Sequence, residues 1–254
     1  MIDFLSQDDK HIIIWDVEQE KMIQKIAGNN SYVTCVAVNP KNGLIISGAY
    51  DHQVRMWDHR SRHALFRTLD AHSEPITALD FNEDGVEFLS GSYDGLVRIW
   101  QTLGGLCLQN LFLTELPPIS GARFINNSYL SISSLDSHLR LWHRTQGESH
   151  KGKGRCRQVR MLTGHQNTKH CMLTTACNII RSDGISANFL VSGSEDTNVY
   201  LWDLSSRELP AIALEGHCAP VVATASSQNK DLPAMIVSGD LDGQLKMWTA
   251  SASS

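Results

Sequence analysis

Short runs in which apolar and polar residues alternate recur along the whole chain, and no stretch sustains the 3.6-residue period of a long helix. Six of these runs share one form, an apolar segment that ends on Trp. Examples are His11-Ile12-Ile13-Ile14-Trp15, Gln53-Val54-Arg55-Met56-Trp57, Leu96-Val97-Arg98-Ile99-Trp100 and Asn198-Val199-Tyr200-Leu201-Trp202. Period-two alternation with β-branched residues predicts strands. Each run follows a second short segment of the same kind, such as Phe88-Leu89-Ser90-Gly91-Ser92 or Leu190-Val191-Ser192-Gly193-Ser194, with turn residues between the two. The pattern therefore predicts a succession of antiparallel hairpins and an all-β chain.

The spacing turns the succession into a repeat. The six tryptophans, Trp15, Trp57, Trp100, Trp142, Trp202 and Trp248, lie 42, 43, 42, 60 and 46 residues apart. Six residues before each stands an Asp: Asp9, Asp51, Asp94, Asp136, Asp196 and Asp242. Three repeats open on Ala71-His72, Gly164-His165 and Gly216-His217. A period of about 40–45 residues with four strands per unit is the mark of a propeller blade.

This combination is identified as that of the WD-repeat family, and the resemblance covers essentially the whole chain. It implies a β-propeller with six blades represented, at about 1–27 (partial), 28–69, 70–112, 113–162, 163–214 and 215–248 (partial) of one domain, 1–254. Because the first blade begins at its second strand and the last ends at its third, the expectation is a seven-bladed propeller shortened at its N-terminus; a strained six-blade ring is the alternative. In the family a buried set of His, Ser, Asp and Trp ties the strands of a blade together, since buried imidazole and indole groups need partners. The resemblance puts such sets at His72, Asp94 and Trp100, with Ser90 or Ser92; at His165, Asp196 and Trp202; and at His217, Asp242 and Trp248. Asn29 stands in place of one His, and the Thr114-Glu115-Leu116-Pro117-Pro118 repeat has none, so those two blades are expected to depend on packing and to be softer. The Trp142–Trp202 interval holds a basic, glycine-rich insertion, 146–157, expected to be a surface loop.

Composition narrows the function. With 22 basic and 27 acidic residues the net charge is −5, which argues against direct nucleic-acid binding. No apolar run approaches the roughly 18–20 residues of a spanning helix, and the N-terminus lacks the form of a secretory signal. None of the six cysteines forms C-x-x-C, so mostly buried free thiols are expected rather than disulfides or zinc. His, Ser and Asp that recur with the blade belong to the scaffold, and no G-x-S-x-G, G-x-x-x-x-G-K-[ST] or H-E-x-x-H occurs. A non-enzyme is expected, with no cofactor and no metal.

Further stretches, among them Asp70-Ala71-His72-Ser73-Glu74-Pro75 and Ser192-Gly193-Ser194-Glu195-Asp196, resemble the WD-repeat protein 5 subgroup, the propeller subunit of SET/MLL histone lysine methyltransferase complexes. That resemblance implies a nuclear, chromatin-associated scaffold, monomeric within a hetero-complex, binding other subunits and arginine-containing peptides. The implied peptide channel falls on Asp8, Thr34, Tyr50, Thr77, Tyr93, Ser120, His170, Cys171 and Leu173; Thr34 and Leu173 occupy the two positions where the family sandwiches the arginine between rings. A second partner surface falls on Asn126, Leu141, Arg160, Ala176 and Asn178. The competing expectation is a WD-repeat adaptor of another machine, either a ubiquitin-ligase substrate receptor or an RNA-processing subunit, and otherwise cytoplasmic.

Overall fold

The computed structural model describes residues 2–6, 10–58, 60, 61, 65–113, 115–145, 155–180, 186–206, 211–227 and 235–249. They form six antiparallel sheets, each a meander in chain order, and no helix. The first sheet holds β1 (Ile2–Ser6), β2 (Ile12–Asp16) and β3 (Lys21–Ile26). The second holds β4 (Val33–Val38), β5 (Ile45–Ala49), β6 (Gln53–Trp57) and β7 (Leu65–Asp70). The third is β8 (Ile76–Phe81), β9 (Glu87–Ser92), β10 (Leu96–Gln101) and β11 (Cys107–Phe112). The fourth is β12 (Ile119–Asn126), β13 (Tyr129–Ser134), β14 (His138–Thr145) and β15 (Arg155–Leu162). The fifth is β16 (Thr175–Ile180), β17 (Ser186–Gly193), β18 (Val199–Asp203) and β19 (Ile212–Leu214), and the sixth is β20 (Val221–Ser226), β21 (Met235–Asp240) and β22 (Leu245–Thr249). This is the β-propeller architecture that the repeat predicts. Among the described residues the first and last sheets have three strands each, the first lacking the innermost strand and the last the outermost.

The core follows from period-two alternation, which gives each sheet two apolar faces. Five buried clusters result, each lying between sheets consecutive in the chain. Between the second and third sheets, for example, Ile46, Val54 and Met56 pack on Leu79, Phe88 and Trp100. Fully burying such an aliphatic side chain contributes about 1.5–3 kcal/mol, so these interfaces dominate the stability. Where the chain enters the second sheet, Gly28 has φ of 131° and lies over the Trp57 ring; a Cβ there would be 3.1 Å from Trp57 Cη2.

The His–Ser–Asp–Trp sets differ from expectation in an orderly way. In the third sheet the set is complete. His72 Nδ1 is 2.9 Å from Asp94, its Nε2 is 2.7 Å from Ser90 Oγ, and Trp100 Nε1 donates to the same Ser90 at 2.9 Å. The sixth sheet forms the set with a different acid: His217 reaches Asp240 at 2.7 Å, not Asp242. Asp240 stands where the third sheet has Ser92, at the end of β21, closer to the ring; the Asp242 N–H instead donates to Asp240 Oδ1 at 3.1 Å. Ser238 and Trp248 complete that set.

In the fifth sheet the expected set of His165, Asp196 and Trp202 does not assemble. Asp196 accepts the Tyr200 hydroxyl at 2.7 Å, and Trp202 Nε1 donates to the Thr163 carbonyl at 3.0 Å. His165 is 4% exposed, and neither ring nitrogen has a hydrogen-bond partner among the described residues. Its ring packs edge-on against Trp202 at 5.2 Å. Burial pushes its pKa down to about 4, with Asp196 opposing the shift.

The second and fourth sheets, expected to depend on packing, are not left to packing alone. Asp51 is bound by both terminal nitrogens of Arg55, at 3.1 and 2.7 Å, and Asp136 likewise by Arg140. Both arginines stand four residues after the Asp, on the neighbouring strand. Where a His takes the Asp, the cation at that position turns to the carbonyl before the His instead: Arg98 to Ala71, Lys246 to Gly216. Asn29 also joins a chain of its own, with Ser47 Oγ donating to it at 3.1 Å and Trp57 donating to Ser47. In the fourth sheet Ile132 replaces that Ser, and Trp142 Nε1 has no partner among the described residues.

Candidate functional site: the mouth of the channel

The innermost strands β4, β8, β12, β16 and β20 pack on one another in chain order. Thr hydroxyls stitch neighbours together: Thr34 donates to Ile76 O at 2.5 Å, Thr77 to Ile119 O at 2.8 Å, and Thr224 to Leu173 O at 2.9 Å. At one end of these strands, the turns between second and third strands come up beside the segments entering the innermost ones. One bond fixes this in sheet after sheet, from Tyr50 N–H to Tyr32 O, Tyr93 to Pro75, Leu135 to Pro118, Glu195 to Gln166 and Leu241 to Pro220. The turn residues Tyr50, Tyr93, Leu135, Glu195 and Leu241 therefore circle the mouth.

The expected channel residues separate into two groups. Tyr50 (57% exposed), Leu173 (41%), Thr34 and Cys171 reach the surface, and Tyr93 and His170 are half-buried. Thr77 and Ser120 are buried, with Thr77 spent on the Ile119 carbonyl and Ser120 bonded to Ser133 and Asn167. Asp8 lies outside the described residues.

The sequence reading missed a segment that crosses the mouth. Ten residues separate His165 from Thr175, the first of β16, against four from His72 to Ile76 and from His217 to Val221. The sequence places the extra length of the long Trp142–Trp202 interval at 146–157, of which 146–154 lie outside the described residues. Part of it lies here. Asn167 donates to Ser120 at 2.8 Å, and Ser133 donates to the carbonyl of the fully buried Met172 at 3.1 Å. Cys171 Sγ is 3.2 Å from Tyr93 Oη, bridging the fifth sheet to the third. Burial pushes the Cys171 thiol and the Tyr93 phenol upward. It pushes Cys35, on β4, up to about 12, against bonds from Thr34 and Gly48; nearby Cys171 adds to that rise.

The thiols depart from expectation in another respect. No disulfide joins any of the six cysteines, but Cys107, Cys171 and Cys218 are exposed. On the second partner surface, Leu141 is 7% exposed, because its side of β14 faces the core, and Ala176 packs against the cluster between the fourth and fifth sheets. Arg160 donates to the Asp203 carbonyl at 2.8 Å, Asn178 is exposed, and Asn126 closes its own turn by accepting from Ser128 and Tyr129 N–H. The side chains of this set that reach solvent are polar.

Lower in the channel wall, Asp80 on β8 accepts the Phe124 N–H of β12 at 2.8 Å. Burial pushes its carboxyl up to about 6, with Arg123 and backbone N–H groups pulling the other way. A raised carboxyl binds its proton more tightly in the native state. The group therefore costs stability above about pH 6, and the cost fades as pH falls toward 3.8. Asp80→Asn keeps an oxygen for Phe124 and removes the buried charge. It is expected to stabilise the protein by about 1–2 kcal/mol at pH 7.5 and by little at pH 4, read from urea unfolding.

The WD domain, G-beta repeat, family model matches residues 20–58, 64–101, 156–203 and 209–249. The chain belongs to the WD40 family. The unmatched stretch 102–155 contains most of the fourth sheet, which has neither the His nor the Ser of the buried set. The chain is 26% identical over 277 residues to the tick Ixodes scapularis protein "Ribosome biogenesis protein WDR12 homolog", covering 96% of this chain and 60% of that protein. It is 37% identical over 99 residues to Saccharomyces cerevisiae "Pre-mRNA-processing factor 17", covering 39% of this chain and 22% of that one. It is also 29% identical over 77 residues to Caenorhabditis elegans "Pre-mRNA-processing factor 19", covering 30% and 15%. The chain thus spans at most 60% of the length of these relatives.

Proposed function

We propose that this chain is a non-catalytic interaction propeller of a nuclear or nucleolar RNA–protein assembly machine, in ribosome biogenesis or pre-mRNA processing, and that its mouth holds a partner polypeptide. The observation that carries this reading is the similarity along 96% of the chain to a protein named for ribosome biogenesis, seconded by two pre-mRNA-processing factors. The RNA-processing alternative is therefore favoured over a histone methyltransferase subunit of the WD-repeat protein 5 type. The chemistry agrees with a scaffold, since the carboxylates of Asp51, Asp94, Asp136 and Asp196 and most of the recurring His and Ser groups are bonded within or between blades. What the mouth offers to a partner is largely apolar and aromatic: Tyr32, Tyr50, Leu173 and Leu241 are exposed. Aromatic side chains flanked by polar ones are a common anchor for polypeptides.

The test is purification of the tagged chain from nuclear extract, with and without ribonuclease, and mass spectrometry of what is recovered. Ribosome-assembly or pre-mRNA-processing subunits that survive ribonuclease are the expected result. Recovery of SET-type methyltransferase subunits in their place would return the assignment to chromatin.

A further inference from the structure

One side chain grips the middle of the segment across the mouth, whose start is held by Gln166 on Ser194 and by Asn167 on Ser120 and Ser137. The Glu195 carboxylate accepts the backbone N–H groups of three successive residues, Thr168 at 2.9 Å, Lys169 at 2.6 Å and His170 at 3.1 Å, and the Thr168 hydroxyl at 2.6 Å. Converging successive N–H groups make a nest of the kind that takes an anion; here the anion is the protein's own. The Glu195 N–H also donates to Gln166 O at 2.9 Å, so main chain and side chain of one residue hold the segment together.

We propose that Glu195 is a positioning residue that keeps the segment 166–174 laid across the mouth, with Cys171 against Tyr93, so that the covered state of the mouth depends on this carboxylate. The far end is fastened separately, by Ser133 on the Met172 carbonyl and Thr224 on the Leu173 carbonyl. Without the clamp residues 168–170, between the two fastened ends, lose four hydrogen bonds to a charged acceptor, a class about twice as strong as neutral ones. The far end stays anchored, and Cys171, midway between, is free to leave Tyr93. At the position of Glu195 the other four turns carry Tyr50, Tyr93, Leu135 and Leu241, none of them an acid. Although burial acts to raise it, the Thr168 hydroxyl and the three N–H groups hold the Glu195 carboxyl down to about 2. The clamp is therefore charged throughout pH 5–8. This role rests on the proposed function only in taking the mouth as the partner site.

The test is iodoacetamide labelling of the full chain at pH 7.5, resolved by peptide mass spectrometry. Cys107 and Cys218 serve as exposed references and Cys177 as the buried one. Glu195→Ala is expected to raise the Cys171 rate severalfold, as the thiol leaves Tyr93 and the burial that holds its pKa up is relieved. The other three rates should stay unchanged. Glu195→Gln, whose amide oxygen still accepts N–H groups, should restore most of the wild-type rate. A Cys171 rate in Glu195→Ala within about twofold of wild type, beside unchanged references, overturns the proposal. If Glu195→Ala also exposes Cys177, Thr168→Val decides: it removes one donor and keeps the backbone, and a rise confined to Cys171 supports the role while no rise overturns it. Labelling is read with no partner present. A rise that leaves partner capture unchanged would therefore uphold the positioning role and count against the mouth as the partner site.

Discussion

His72→Ala and His165→Ala, at the same position of two blades, are expected to differ by about 3 kcal/mol in their effect on stability. His72 donates or accepts at both ring nitrogens, and its removal leaves the nearly buried Asp94 carboxylate and Ser90 short of a partner. Losses of that kind cost about 3–5 kcal/mol. His165 is just as buried but has no hydrogen bond to lose among the described residues, only its edge contact with Trp202. His165→Ala should cost about 1 kcal/mol, and His165→Leu, which refills the volume without a polar ring, should be neutral or stabilising.

The pH dependence separates the two positions further. A histidine whose folded pKa is depressed from 6.5 to about 4 is neutral and harmless above pH 6.5, and its native state loses stability as pH falls through that window. For His165 the loss is on the order of 3 kcal/mol by pH 4. Asp80 acts in the opposite sense over nearly the same range. The two groups therefore offset one another in the wild type, and single variants should tilt the profile in opposite directions. From pH 7 to pH 4.5, His165→Leu should gain stability relative to wild type and Asp80→Asn should lose most of its advantage. Urea midpoints at the two pH values, with unchanged slopes, read both.

Arg55→Met is the second large effect. Arg55 is 2% exposed, and its guanidinium grips Asp51 with two nitrogens while also bonding Gln53. Removing it strands an acid that is itself 23% exposed, so partial solvation reduces the cost to about 2–3 kcal/mol. The double variant Arg55→Met/Asp51→Asn should recover most of that loss, giving a coupling of about 2 kcal/mol in a thermodynamic cycle. Arg98→Met, at the same position of a blade whose Asp is held by His72, should cost less than about 1 kcal/mol, since there the arginine only caps the Ala71 carbonyl. The three measurements together test whether His and the cation four residues after the Asp are interchangeable means of holding one carboxylate.

The Trp and Asp spacing carried the hairpins, the meander and the identity of the faces, because strand pairing within a blade is local and the turn residues punctuate it. The buried sets were only partly legible. Their composition repeats, but which donor wins each Asp depends on a competitor one strand away: Tyr200 took Asp196 from His165, and Arg55 and Arg140 took the place of absent histidines. Asp240 and Asp242 were both available to His217, and only the end of β21 decides between them. The clamp on the mouth left a trace in the sequence, ten residues in place of four before β16, but a length says nothing of where a loop lies. Leu141 illustrates the converse limit: alternation assigns a face to it, and its expected place on a surface came from resemblance, not from that alternation.

The measurement that bears most directly on the mouth as the partner site is quantitative capture of the same partners by the wild-type chain and by Tyr50→Ser/Leu173→Ser. Both side chains lie exposed at the mouth and outside the buried clusters, so the variant should fold as the wild type does, with an unchanged urea midpoint. The account predicts that at least one subunit held in the presence of ribonuclease falls by about tenfold or more, the effect of losing about 1.4 kcal/mol or more of contact. Full retention of every partner by the folded variant would contradict it and place the interaction surface elsewhere on the propeller.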